Sequence, residues 1–145
     1  MLAAYDYDRA AFLAPHQWQA GPITPASAGA EAQPRTNPFD TSDIVGQVSE
    51  ADASLVGKAV EVATTAQPLW TKMPAADRAA ILRAAADNYE ANAVEIFTLL
   101  AREAGKTLLD AVADLREAVD FLRYYADAAE KLAPSRVPRG VIARI

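Results

Sequence analysis

Asp110, Asp114 and Glu117 fall four and three residues apart in a run of helical periodicity. This spacing sets pairs of carboxylates on one helix face, where a cleft that raised one pKa would place a general acid beside a general base. No other group in the sequence completes such a site, so the three carboxylates read as exposed charge. Glu103-Ala104-Gly105-Lys106 invites a phosphate-binding reading, with the lysine behind a tight turn. The six glycines form neither a GxGxxG nor a Walker loop, and a helix C-terminus turns the wrong end of its dipole toward an anion. Gly105 therefore reads as a left-handed helix stop. Zero cysteines remove thiolate nucleophiles, thiolate–metal sites and disulfides, and the single histidine, His16, cannot build a multi-histidine metal centre. His16 lies in a proline-flanked loop and reads as a surface or packing residue. Tyr89, Tyr124 and Tyr125 carry hydroxyls, but aromatic residues at helical spacing serve the core or an interface as a rule.

The elements that must position these groups follow from periodicity and punctuation. The chain has 145 residues, 52% of them hydrophobic, enough for one modest domain. Much of that hydrophobic fraction is alanine, which favours helix and buries little area per residue. A net charge of −5 leaves no electrostatic footprint for nucleic acid. The apolar runs are far too short to cross a bilayer, so no transmembrane segment is expected. The first residues lack the basic start and apolar stretch of a signal peptide, and a cytoplasmic location is expected. Residues 1–48, rich in proline, form an extended arm in which Trp18 to Ile23 and Ile44 to Val48 are short candidate strands.

Residues 49–133 change to helical period and form the helical layer. Ser49 and Asp52 resemble a capping box, followed by the stripe Leu55, Val56, Ala59, Val60 and Ala63 in a helix that should end before Pro68. Pro74 opens the next helix, with Ile81, Leu82, Ala85 and Tyr89 on one face and a break near Asn92. A short helix containing Val94, Ile96, Phe97, Leu99 and Leu100 is apolar nearly all round and should be buried, ending at Gly105. Thr107 with Asp110 restarts the helix. Leu108, Val112, Leu115, Val119 and Leu122 then repeat by fours and threes, a seam that faces a partner helix. Arg116/Asp120, Arg123/Asp127 and Asp127/Lys131 stand at i,i+4 on its other faces, each pair contributing about 0.2–0.5 kcal/mol. Pro134 ends this helix, and residues 134–145 begin a strand. The fold class expected is mainly α: about four to five helices after an extended arm with short β-strands.

Taken in order, these segments resemble the amino-terminal part of the α/β aldehyde dehydrogenase fold. The resemblance is carried by Asn37-Pro38-Phe39-Asp40, Val45-Gly46-Gln47-Val48-Ser49-Glu50-Ala51, Pro68-Leu69-Trp70, Arg78 to Leu82 with Ala86-Asp87 and Glu90, and Glu103-Ala104-Gly105-Lys106. It extends over residues 18–145. Within the superfamily the chain is most similar to the 1-pyrroline-5-carboxylate dehydrogenase module of proline utilization A. His16-Gln17-Trp18-Gln19-Ala20-Gly21-Pro22-Ile23, Arg102-Glu103-Ala104-Gly105-Lys106-Thr107 and the run from Arg116 to Ala126 carry this closer likeness.

The resemblance implies oxidation of L-glutamate γ-semialdehyde to glutamate, with NAD as hydride acceptor, through a cysteine thiolate, an oxyanion-binding asparagine and a water-activating glutamate. None of those catalytic positions is expected among these residues, nor is a cofactor expected on this fragment; NAD belongs to the complete family enzyme. The family places a glutamate eight positions after the Gly-Lys lysine, on the helix lining the substrate approach, and Asp114 occupies that position with a shorter side chain. The expectation is a truncated piece of the dehydrogenase, inactive alone, whose partner is the missing portion of that enzyme or a second copy held through Leu108, Val112, Leu115, Val119 and Leu122. The alternative is a non-catalytic helical interaction module that binds itself or a full-length aldehyde dehydrogenase.

Overall fold

A computed structural model describes residues 16–23, 31–132 and 140–142. Three short strands, β1 (Trp18–Ala20), β2 (Gln33–Thr36) and β3 (Ile44–Val48), form one sheet in the order β1-β3-β2. β1 runs parallel to the central β3, and β2 runs antiparallel to it with an irregularity between Arg35 and Thr36. Gly46 pairs with Trp18, and a Cβ there would run into the Trp18 carbonyl, so the close approach of β1 requires glycine in the middle of a strand. β2 is absent from the sequence expectation because Pro34 marks that stretch as loop. It is an edge strand, the one kind of strand in which a proline is readily held. The strand expected from Trp18 to Ile23 stops at Ala20.

Four helices follow among the described residues: α1 (Ala53–Lys72), α2 (Ala75–Ala91), α3 (Ala93–Ala104) and α4 (Leu108–Leu132). Asp52 rather than Ser49 caps α1, its carboxylate accepting the Leu55 amide at 2.7 Å. Contrary to expectation, α1 continues through Pro68. Proline removes one amide from the ladder, but the last turn is held by other bonds. Thr71 Oγ1 donates to the Gln67 carbonyl at 2.9 Å, and the Met73 amide reaches the carbonyls of Leu69 and Trp70 at 3.2 Å. Arg78 of α2 closes the corner by donating to the carbonyls of Met73 and Trp70. Of the expected α1 stripe only Leu55 is buried; Val56 and Val60 are exposed, and α1 has no extensive contact with any other described element.

The core lies where α4 crosses α2 and α3. Ala86, Phe97, Ala111, Leu115 and Val119 are buried there, and Leu108, Val112 and Leu122 pack against them. The repeating seam of α4 therefore finds its partner helices within the chain. Leu115 and Val119 are buried in this packing, and Leu108, Val112 and Leu122 are half-buried. α2 meets α4 through Ala79 and Ala86, both fully buried, rather than through Ile81 and Tyr89, which stay outside. Small residues at the contact let two helix backbones approach closely, and that selects the alanine face.

Charges on these helices also pair differently from the i,i+4 expectation. Arg123 bonds Asp87 at 3.1 Å and Glu90 at 2.5 Å, and Arg83 bonds Asp127 at 2.6 Å and Glu130 at 2.7 Å. Both arginines thus bridge α2 and α4. The helix stop at Pro134 and the strand expected over 134–145 lie outside the described residues, except that 140–142 form no regular element. No helix among the described residues is long and apolar enough to cross a membrane.

Candidate functional site

The Arg102–Thr107 run, singled out twice by sequence, sits where the sheet, α3 and α4 meet. Gly105 ends α3 at φ 64°, and the amides of Gly105 and Lys106 turn back to the Leu100 carbonyl. A Cβ on Gly105 would lie 3.1 Å from both Pro38 and Phe39, so the Asn37-Pro38-Phe39 loop is packed directly on the turn. Positive φ and this close approach both select glycine. Thr107 then restarts the helix as expected: its Oγ1 accepts the Asp110 amide at 3.2 Å and donates to the Asp110 carboxylate at 2.7 Å.

Arg102 projects from the last turn of α3 into the strand arm and is almost fully buried. Its Nε and one terminal nitrogen bond both carboxylate oxygens of Asp43 at 3.1 and 2.6 Å, a bidentate geometry. Nη1 donates to the His16 carbonyl at 2.8 Å, and the guanidinium lies 5.3 Å from the Trp18 ring. Trp18 Nε1 in turn donates to Glu95 of α3 at 2.7 Å, and His16 packs edge-on against Trp18 at 4.6 Å. His16 is thus a packing residue. Arg102 and Asn37 together hold the Asp43 carboxyl below the usual carboxylate range by hydrogen bonding to its charged form. The sequence pattern had assigned Arg102 no role. A single arginine directly after Leu99-Leu100-Ala101, in the last turn of a largely apolar helix, is the signal that could have found it.

The candidate acid–base carboxylates are separated by other bonds. Asp110 belongs to the Thr107 cap, Asp114 pairs with Lys106 across the turn, and Glu117 is exposed. Hydrogen bonding to Asp114 raises the Lys106 pKa above its ordinary value. The Gly105–Lys106 turn does not fit a dinucleotide phosphate. Lys106 is taken by Asp114, its amide points back into α3, and Phe39 and Pro38 fill the space over Gly105. A cleft of about 240 Å³ beside α4 is floored by Phe97, Leu115 and Val119 and rimmed by Glu90, Arg116 and Asp120, with Glu90 already held by Arg123. Among the described residues no cluster of histidine, cysteine and carboxylate side chains suits a metal ion. Tyr89, Tyr124 and Tyr125, read as core or interface, are 43%, 65% and 57% exposed and so lie outside the core. The junction holds the sheet, α3 and α4 together.

The aldehyde dehydrogenase family profile matches residues 24–143. The chain is 47% identical over 112 residues to the bifunctional protein PutA of Escherichia coli K12, covering 76% of this chain and 8% of that protein. It is 40% identical over 96 residues to the 1-pyrroline-5-carboxylate dehydrogenase of a Geobacillus species, covering 66% of this chain and 19% of that one. Among solved structures it is similar to proline utilization A from Bdellovibrio bacteriovorus inactivated by N-propargylglycine. The TM-score there is 0.76 at 26% identity, over 90% of this chain and 14% of the other. It is also similar to a mutant 1-pyrroline-5-carboxylate dehydrogenase of Thermus thermophilus, with a TM-score of 0.74 at 28% identity, over 99% of this chain and 27% of the other. The chain spans less than a tenth of the length of these PutA relatives in sequence, and about a fifth of the Geobacillus enzyme.

Proposed function

The chain belongs to the aldehyde dehydrogenase family, and from that premise we propose that it forms the strand arm and helical layer of a module that oxidises L-glutamate γ-semialdehyde to glutamate in proline catabolism. NAD accepts the hydride in that reading, held by residues other than those described here. The observation that carries the proposal is the 47% identity to PutA over three quarters of the chain. The junction adds support, because Asn37-Pro38-Phe39, Arg102, Gly105 and Lys106, the residues that carry the likeness, are those that lock the sheet to α3 and α4. Their role is architectural. With no cysteine in the 145 residues, the thiolate nucleophile has to come from elsewhere in the module, and the chain alone is catalytically silent.

Asp114 is part of the same proposal. It lies on the helix that would line the substrate approach, and Lys106 fixes its carboxylate at the start of that helix.

Two measurements test the reading. Purified 145-residue chain given NAD and glutamate semialdehyde should form no NADH; turnover would show that it carries its own machinery. Residues 18–132 spliced in place of the matching region of Escherichia coli PutA should leave semialdehyde oxidation within about tenfold of the parent, a change of roughly 1.4 kcal/mol in barrier. A soluble, folded chimera that loses more than about a thousandfold would overturn the assignment.

A further inference from the structure

β1 covers a charge rather than the helical core. It is an edge strand of three residues beside β3, with Gln19 and Ala20 exposed. Its hold beyond the ladder includes polar contacts. Trp18 Nε1 donates to Glu95 at 2.7 Å, the Trp18 ring faces the Arg102 guanidinium at 5.3 Å, and the His16 carbonyl accepts from Arg102 at 2.8 Å. At the other end of β1 the Ala20 carbonyl accepts the Ser49 amide at 2.9 Å. Among the described residues, the buried cluster of α2, α3 and α4 includes no residue of the strands. The bonds of Arg102 to Asp43 involve no atom of β1.

We propose that β1 is a releasable strap, which lifts from β3 and α3 as a unit while the Arg102–Asp43 pair and the helices stay in place. Docking the strap strips water from an ion pair, and that desolvation opposes the strap's own hydrogen bonds. Lifting it returns water to two charges that remain partnered, and it uncovers none of the helical cluster. Local opening of this kind takes far less free energy than unfolding the core and exposes little surface. Gly46 sets how closely the strap seats, because a Cβ there would run into the Trp18 carbonyl. The strap therefore decides whether the ion pair is dry or hydrated, and with it how tightly the sheet is tied to α3. The proposal stands on these contacts and not on the dehydrogenase reading.

Native-state hydrogen exchange of the full 145-residue chain, read by magnetic resonance, tests it. The Trp18 indole N–H and the Ser49 amide both bond across the strap's boundary, so both should exchange through the same opening. Their protection should be at least about thirtyfold weaker than that of the 111–119 amides and nearly independent of dilute urea, as a local opening requires. Glu95→Ala removes the indole's acceptor, so the Ser49 amide, bonded to Ala20, is the reporter in that variant. It should exchange about tenfold faster, the effect of one hydrogen bond to a charged group, while 111–119 stay within about threefold of the parent. Glu95→Gln keeps an oxygen for the indole N–H and should restore most of the loss. If Glu95→Ala fails to fold, the urea dependence in the parent still decides the matter. Protection at Trp18 and Ser49 equal to that of 111–119, a urea dependence equal to the core's, or a Ser49 amide indifferent to Glu95→Ala in a folded variant would each overturn the proposal. No substrate enters the measurement, so a strap that stays closed leaves the chimera result untouched.

Discussion

Arg102 shows how one buried charge can decide whether an arm and a bundle are one unit. Asp43 and Arg102 are 59 residues apart, and their pair closes the sheet onto α3. Removing one partner of a buried pair strands the other, at a cost of about 3–5 kcal/mol. Arg102→Ala should lower stability by that order in urea unfolding; a loss below about 1 kcal/mol would mean the pair is no better than a surface bridge. Arg102→Lys should recover only part, because an ammonium cannot bond both oxygens of Asp43 in the guanidinium's planar fork. The pH dependence has a definite sign. The Asp43 carboxyl sits lower in the folded chain than its unfolded value, so the unfolded chain binds the extra proton. The stabilisation is complete above about pH 4 and is lost as pH falls through the lowered folded value. Arg102→Ala should therefore unfold with a shallower acid dependence than the parent, and equal slopes in both would remove Asp43 from the account. Local chemistry at this scale is legible in sequence where neighbours a turn or so away decide it, as at the Gly105 stop and the Thr107/Asp110 restart, while the cap of α1 falls on Asp52 and not on the Ser49 of the expected box. The Arg102–Asp43 and Lys106–Asp114 bonds are not, because a fold or a turn, not a helical period, brings those partners together.

At the scale of elements, α2 and α4 are joined by an alanine contact inside and arginine bridges outside. The heptad seam of α4 shows in sequence because Leu115 and Val119 are large and regularly spaced, whereas the matching face of α2 is hidden because Ala79 and Ala86 carry so little hydrophobic signal. The same blindness hid the cross-helix pairs: i,i+4 spacing names a neighbour on the same helix, but Arg83 and Arg123 reach across to better-placed carboxylates. Bonding to Arg83 lowers the pKa of both Glu130 and Asp127. All these groups are solvated, and salt screens them within a Debye length of about 10 Å at 0.1 M. Arg83→Gln and Arg123→Gln should each lower the melting temperature slightly at low ionic strength, and about 1 M salt should erase the difference from the parent. A deficit that survives high salt would show that the arginine stems pack on apolar surface.

The whole molecule is not equally held throughout, and α1 marks the division. The sheet, α3, α4 and α2 are connected through Arg102, the Gly105 turn and the buried cluster, while α1 buries Leu55 alone and leaves Leu69 74% and Trp70 45% exposed. Composition at this scale was informative: alanine-rich helices after a proline-rich arm are what the chain forms, and β2 was missed because pairing, not local propensity, creates an edge strand. Sequence periodicity could not show that α1 lacks a neighbour, since an amphipathic stripe is written the same way whether or not its partner is present. Helices draw most of their stability from packing an apolar face, and 20 residues interrupted by Gly57 and Pro68 are near the limit for an isolated helix in water. The Asp52 cap and the Arg78 corner hold its two ends and leave its middle to intrinsic propensity. Amide exchange of the 145-residue chain should therefore divide in two. Protection over 56–72 should be at least about a hundredfold weaker than over 111–119, because local opening of an unpacked helix costs far less than opening the core. Equal protection in both segments would mean that α1 is covered in solution.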